Sequence, residues 1–132
     1  MREIKYRAVY KNKVYQVHSI EFYLDGTYSV LLRIDKDVTY PDQSDISVII
    51  EFTGLQDKTG QDVYEGDIVR ASYSIMQYEI SKVEFKRGIF FVLKNGRYHP
   101  LSEFMYNSND RTKDIEIIGN IYENPELLHE EN

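Results

Sequence analysis

Along most of the chain, short apolar runs alternate with polar residues at a spacing of two, and glycine, proline, asparagine or aspartate closes each run. That period belongs to strands with one buried face, and the Tyr, Phe, Val and Ile content of the runs agrees with it. Strands are predicted over 3–10, 13–24, 27–34, 46–53, 67–74, 79–86, 89–94, 97–99 and 115–122. No stretch keeps a 3.6-residue period long enough for a substantial helix. One short helix is predicted at the C-terminal end. There Asn124 can cap it, Pro125 suits the first position because its missing N–H would have no partner, and Glu126 sits at the positive end of the dipole.

Residues facing each other across an antiparallel ladder share a face, so alternation fixes register. A two-residue Asp25-Gly26 turn would set Phe22 against Ser29 and mix the faces. A three-residue loop, Leu24-Asp25-Gly26 with Gly26 left-handed, aligns Phe22 with Tyr28 and Ile20 with Val30 and is preferred. The same reasoning predicts a three-residue loop Lys86-Arg87-Gly88, with Phe85 opposite Ile89 and Val83 opposite Phe91. Asn95-Gly96 is the strongest short turn signal, joining 89–94 to Arg97-Tyr98-His99. Because 89–93 is apolar on both faces, a central strand is expected there, in a small barrel or a covered sheet.

The aperiodic segment 35–45 reads as a linker. The expected organisation is an N-terminal β-meander over 1–40, a barrel over 46–122, and a short helix and tail over 123–132, with one continuous domain as the alternative.

Composition narrows the chemistry. The 132 residues suffice for a real core, and zero Cys removes disulfides, thiolate metal sites and Cys nucleophiles together. No apolar run approaches a membrane span, and the first residues lack the apolar stretch of a signal peptide, so the cytoplasm is the expected compartment. Sixteen basic against 22 acidic residues give a net charge of -6, concentrated after residue 50. That balance works against nucleic-acid binding by the whole surface, which needs a basic face to release counterions. Lys82, Lys86, Arg87, Lys94 and Arg97 nevertheless cluster around hairpins that carry Phe85, Phe90 and Tyr98, a mixture able to hold single-stranded nucleic acid. The competing reading is a solvated face of an alternating sheet.

Other constellations are weaker. Asp57-Lys58-Thr59-Gly60 spells a phosphorylated-aspartate motif but lacks the preceding apolar strand that chemistry uses. As a calcium loop it fails at its sixth position, Asp62, and its twelfth, Ile68. Asp57, Asp62, Glu65 and Asp67 could gather into a magnesium site or acid–base pair, and a solvated acidic loop is the plainer alternative. His18, His99 and His129 are isolated, and no serine sits in a nucleophile elbow. Glu123, Glu126, Glu130 and Glu131 are expected to keep the C-terminal helix soluble.

Three ordered segments resemble the YopX family of small phage and prophage proteins: the opening Met1-Arg2-Glu3-Ile4-Lys5-Tyr6-Arg7-Ala8, the central run from Ile49 to Val69 with Thr53-Gly54-Leu55, Asp57, Gly60 and Tyr64-Glu65-Gly66-Asp67-Ile68-Val69, and the closing Ile118-Gly119-Asn120-Ile121-Tyr122-Glu123-Asn124-Pro125-Glu126-Leu127-Leu128. Val9 stands where the family often has Trp. The resemblance implies a mostly β protein with a small SH3-like barrel and no established reaction, so its motif residues receive structural roles. Gly54, Gly60 and Gly66 are expected at positive φ or at close backbone approaches, and Asp67 is expected to accept turn amides.

The expected function is therefore a non-catalytic phage-type accessory protein without a cofactor, binding a macromolecular partner for which protein is the favoured class. Homo-oligomerisation is compatible with it. The alternatives are nucleic-acid binding through the basic hairpins, and a weak metal-dependent enzyme at the acidic loop.

Overall fold

A computed structural model describes residues 5–105 and 113–128. It is mostly β, with twelve strands and three short 3₁₀ helices among the described residues. Among the described residues no helix is long and apolar enough to cross a membrane. The chain divides into two compact units, Glu3–Glu51 and one made mainly of Phe52–Asn132.

In the first unit, β1 (Tyr6–Tyr10), β2 (Lys13–Phe22), β3 (Tyr28–Ile34), β4 (Asp37–Thr39) and the first half of β5 (Ile46–Gln56) form antiparallel ladders in the order β4-β3-β2-β1-β5. Lys11 and Asn12, at φ 51° and 66°, make the tight turn that pairs Tyr10 with Lys13. Ala8, Val30 and Leu32 are buried together, with Tyr15, Val17 and Ile20 packed against them. The β2–β3 register has Ile20 opposite Val30 and Phe22 opposite Tyr28, and Gly26 lies at φ 89° in the intervening loop, as the alternation predicts. A bulge at His18 lets Val17 and Ile20 share the apolar face although they are an odd number of positions apart. The segment 35–45 carries β4 and a 3₁₀ turn, Gln43–Asp45, and lies within this unit. From that turn the Gln43 carboxamide reaches β3, accepting from the Val30 N–H at 2.7 Å and donating to the Val30 carbonyl at 2.9 Å. It thus supplies the ladder partner that β4 is too short to provide.

In the second unit, β12 (Asp114–Asn120), β7 (Asp67–Ser74) and β8 (Gln77–Lys82) form one sheet in the order β12-β7-β8. A second sheet has β10 (Ile89–Lys94) between β11 (Arg97–Pro100) and β9 (Glu84–Lys86). The second half of β5 pairs with β6 (Asp62–Tyr64) through Phe52 and Tyr64, whose rings lie 5.5 Å apart. Val63, Val69, Ala71, Val83, Val92, Leu101, Phe104 and Ile115 form the core.

Four expectations are corrected here. The ladders are not closed into the SH3-like barrel. The predicted strand 79–86 breaks at Val83, whose N–H donates to the Asp67 carbonyl at 2.8 Å and whose carbonyl accepts the Gly66 N–H at 2.9 Å. With its main chain engaged by that turn, Val83 is where the chain leaves one sheet for the other. Beyond the break, β8 reaches β10 through side chains. The Ser81 hydroxyl accepts the Leu93 N–H at 2.9 Å, and the Glu79 carboxylate accepts the Asn95 N–H at 3.0 Å.

The same break explains the third correction. Once Val83 is free of the β9–β10 ladder, Ile89 pairs with Lys86 and Phe90 with Phe85, around a two-residue Arg87-Gly88 turn at φ 52° and 83°. The Phe85 and Phe90 rings meet at 4.8 Å across it. The fourth correction concerns the C-terminal helix, which among the described residues is a single 3₁₀ turn, Pro125–Leu128. The Asn124 side chain, expected to cap it, accepts instead from the Asn120 N–H at 3.2 Å.

Asn95-Gly96 makes the expected tight turn, pairing Lys94 with Arg97. The two faces of the central strand β10 differ: Val92 is buried in the core, whereas on the other face Ile89 is exposed and Phe91 and Leu93 are half-buried.

Candidate functional site

The glycine-rich signature builds a loop held by its own carboxylate. Asp57 is buried, and one of its oxygens accepts from the Thr59 N–H, the Thr59 hydroxyl and the Gln61 N–H at 2.9, 2.7 and 3.0 Å. Its other oxygen accepts the Ile117 N–H of β12 at 3.0 Å, and the Lys58 N–H donates to the Ile115 carbonyl at 3.0 Å. Burial disfavours the ionised Asp57, yet these hydrogen bonds outweigh it and hold the carboxyl below its ordinary value. Gly60 closes the loop at φ 89°, its N–H donating to the Asp57 carbonyl.

The other signature residues also take main-chain geometry as their task. Thr53 donates its hydroxyl to the Val63 carbonyl at 2.7 Å and accepts the Leu55 N–H at 3.1 Å across Gly54, which sits at φ 87°. Buried Asp67 accepts the Tyr64 N–H at 2.8 Å, spanning the turn through Glu65 and Gly66. Gly66, at φ 87°, accepts the Ile121 N–H on its carbonyl. Ile68 and Val69 are fully buried. Asn120 accepts the Tyr122 and Glu123 N–H groups and donates to the Glu123 carboxylate at 2.9 Å. A Cβ on Gly119 would lie 2.7 Å from the Asn124 amide oxygen, so only glycine leaves that side chain its place.

The acidic residues therefore do not converge. Asp57 and Asp67 bind turn amides, Asp62 accepts from the Gln56 side chain at 3.2 Å, and Glu65 acts on Tyr122, whose hydroxyl burial, and secondarily Glu65, push up in pKa. Among the described residues no group of three or more His, Asp or Glu side chains is placed to hold a metal ion. His18 occupies the β2 bulge, and His99 meets Glu103 at 3.1 Å at the end of β11. His129, Glu130 and Glu131, like Met1 to Ile4, lie outside the described residues.

The five basic residues are divided. Lys86 lies over the Tyr98 ring at 4.3 Å and donates to its hydroxyl, on the outer face of β9-β10-β11. Lys94 and Arg97, a facing pair, belong to the opposite face, and Lys94 lies 4.1 Å over Tyr73. Arg87 is in the turn, and Lys82 pairs with Glu84 at 3.8 Å on the other sheet's edge.

The feature that sequence reasoning passed over is the end of the β2–β3 hairpin. Phe22 and Tyr28 continue the apolar face past its buried part, with 76% and 51% of their surfaces exposed and ring centres 6.1 Å apart. Leu24 projects fully from the loop beyond them. The predicted register already put Phe22 and Tyr28 on one face; the missing signal was that both rings stay largely exposed among the described residues.

Fold and loop define the class: a small, two-unit β protein organised around a glycine-rich, carboxylate-anchored turn. The chain belongs to the YopX family, whose model, described as YopX protein, matches residues 5–129. It is similar in fold to the crystal structure of protein EF1440 from Enterococcus faecalis, at 23% identity and a TM-score of 0.60, with 97% of this chain and 99% of that one covered. It is also similar to the crystal structure of protein yopX from Bacillus subtilis, at 19% identity and a TM-score of 0.66 with the same coverage. No curated protein matches the chain.

Proposed function

We propose that this protein is a non-catalytic phage- or prophage-type accessory factor of the bacterial cytoplasm that binds a partner protein through the end of the β2–β3 hairpin. The observation that carries the reading is the apolar cluster of Phe22, Leu24 and Tyr28, held together on a hydrogen-bonded ribbon. Single exposed apolar residues are ordinary, whereas a paired aromatic cluster with an adjoining leucine is the composition of an interface anchor. Such residues gain about 1.5–3 kcal/mol each when a partner removes them from water. The nucleic-acid reading has less support, since its five cations are split between faces and two of them already lie over tyrosine rings.

A photo-crosslinking side chain at Leu24, in cells carrying the prophage, tests this. The expected result is a discrete protein adduct, lost when Phe22→Ser and Tyr28→Ser are added with the melting temperature unchanged. An adduct that survives those changes, one no stronger than from exposed Lys36, or one that is removed by nuclease overturns the reading.

A further inference from the structure

We infer that the outer edge of β2 beyond the His18 bulge receives an extended segment of the partner as an added strand, and that this segment carries a basic residue between two apolar ones. This deepens the proposed function and rests on it.

The edge follows from the ladder parity. The Val30 N–H and carbonyl both bond to the Gln43 side chain, so they point away from β2. Ile20 faces Val30 in a pair of the same type, so its own N–H and carbonyl point away from β3. At the loop the Tyr23 N–H donates to the Thr27 carbonyl at 2.9 Å, which makes Phe22 and Tyr28 a second pair of this kind. On that outer side the β1 ladder among the described residues pairs Lys13 to Gln16 of β2. No ladder among the described residues engages the outward groups of Ile20 and Phe22. They border a groove of about 450 Å³ lined by Lys5, Tyr6, His18, Ser19, Ile20 and Phe22. An exposed row of main-chain donors and acceptors beside apolar side chains is the surface to which strand addition binds.

Charge decides the occupant. A second copy using the same two outward residues in an antiparallel pair would set Ile20 against Phe22 of the copy, and Glu21 directly against Glu21. Like charges at a closely spaced cross-strand pair oppose that arrangement. A segment with lysine or arginine opposite Glu21, flanked by apolar residues opposite Ile20 and Phe22, satisfies both the ladder and the charge.

The test uses seven-residue peptides alternating valine with lysine, with glutamate or with serine, titrated into the full-length protein and followed by amide NMR. The lysine peptide is expected to shift the Ile20 and Phe22 amides and to bind about fivefold more tightly than the glutamate peptide, with Glu21→Lys inverting the order. Phe22→Pro removes an outward N–H without touching the β3 ladder and should weaken binding about tenfold, whereas Phe22→Ala, which keeps the N–H, should lose less. Equal binding of all three peptides, indifference to Phe22→Pro, or concentration-dependent dimerisation abolished by Phe22→Pro overturns the strand-addition proposal. The crosslink at Leu24 would survive such a failure, which separates the two claims.

Discussion

The Asp57 carboxylate accepts the main-chain N–H of Ile117, sixty residues further along the chain, at 3.0 Å. One side chain thereby ties the signature loop to β12 at the point where the β12–β7 register shifts. Asp57→Ala removes the acceptor for four hydrogen bonds and should destabilise the fold by about 2–4 kcal/mol in urea unfolding. Asp57→Asn keeps the shape but turns an NH₂ toward a donor, and should cost about 1–3 kcal/mol. A loss under 0.5 kcal/mol in both would mean the loop holds its path without Asp57.

The same carboxylate gives a pH dependence with a definite sign. Burial pushes its pKa up, but hydrogen bonds from Ile117, Thr59 and Gln61 leave it below the ordinary 3.8. A folded-state value below the unfolded one means stability is full above the unfolded pKa and is lost as pH falls through the folded one. Asp25 and Asp42 are also lowered, by Thr27 and Ser44 respectively, so the comparison must be made between proteins that share them. The stability gap between wild type and Asp57→Asn should narrow from about pH 5 to pH 3. A gap that stays constant over that range refutes the assignment.

How far the sequence could be read depended on whether the deciding partner was local. Ile20 opposite Val30 was legible because alternation on both strands and a glycine at Gly26 agree. The Phe85–Phe90 pairing was not, because its register is released at Val83 by a bond to the turn at Gly66 and Asp67. In the candidate loop, Gly54, Gly60 and Gly66 announced positive φ by their identity and spacing. The partner of Asp57 on β12 left no mark, since a main-chain N–H belongs to every residue but proline. Strands β4 and β6 are three residues each, too short for a period to appear.

Gly66 and Gly60 separate backbone strain from steric contact. Both have φ near +90°, but a Cβ on Gly66 would approach Tyr122 Cε2 to 2.9 Å, whereas one on Gly60 would meet nothing within 4 Å. Gly60→Ala should cost about 1 kcal/mol through strain alone, and Gly66→Ala about 2–3 kcal/mol. Tyr122→Ala in the Gly66→Ala background should recover part of the difference. Equal losses at the two positions in thermal melts would remove Tyr122 from the account.

The junction between β8 and β10 gives the last prediction. An SH3-like closure would join such strands by main-chain bonds, whereas here Ser81 and Glu79, two residues apart on one face of β8, accept the N–H groups of Leu93 and Asn95, two residues apart along β10 and its turn. Ser81 is buried and its hydroxyl also donates to the Lys82 carbonyl at 3.0 Å, so Ser81→Ala should leave the Leu93 N–H without a partner and cost about 1–2 kcal/mol. The Glu79 bonds are solvent-exposed, and Glu79→Ala should cost under about 1 kcal/mol. Native-state hydrogen exchange reads the two separately: the Leu93 amide should exchange faster in Ser81→Ala and the Asn95 amide in Glu79→Ala, each leaving the other unchanged. If neither amide responds, the two sheets are held by the apolar core that contains Val69, Val83 and Val92, and the side-chain bonds are incidental to the junction.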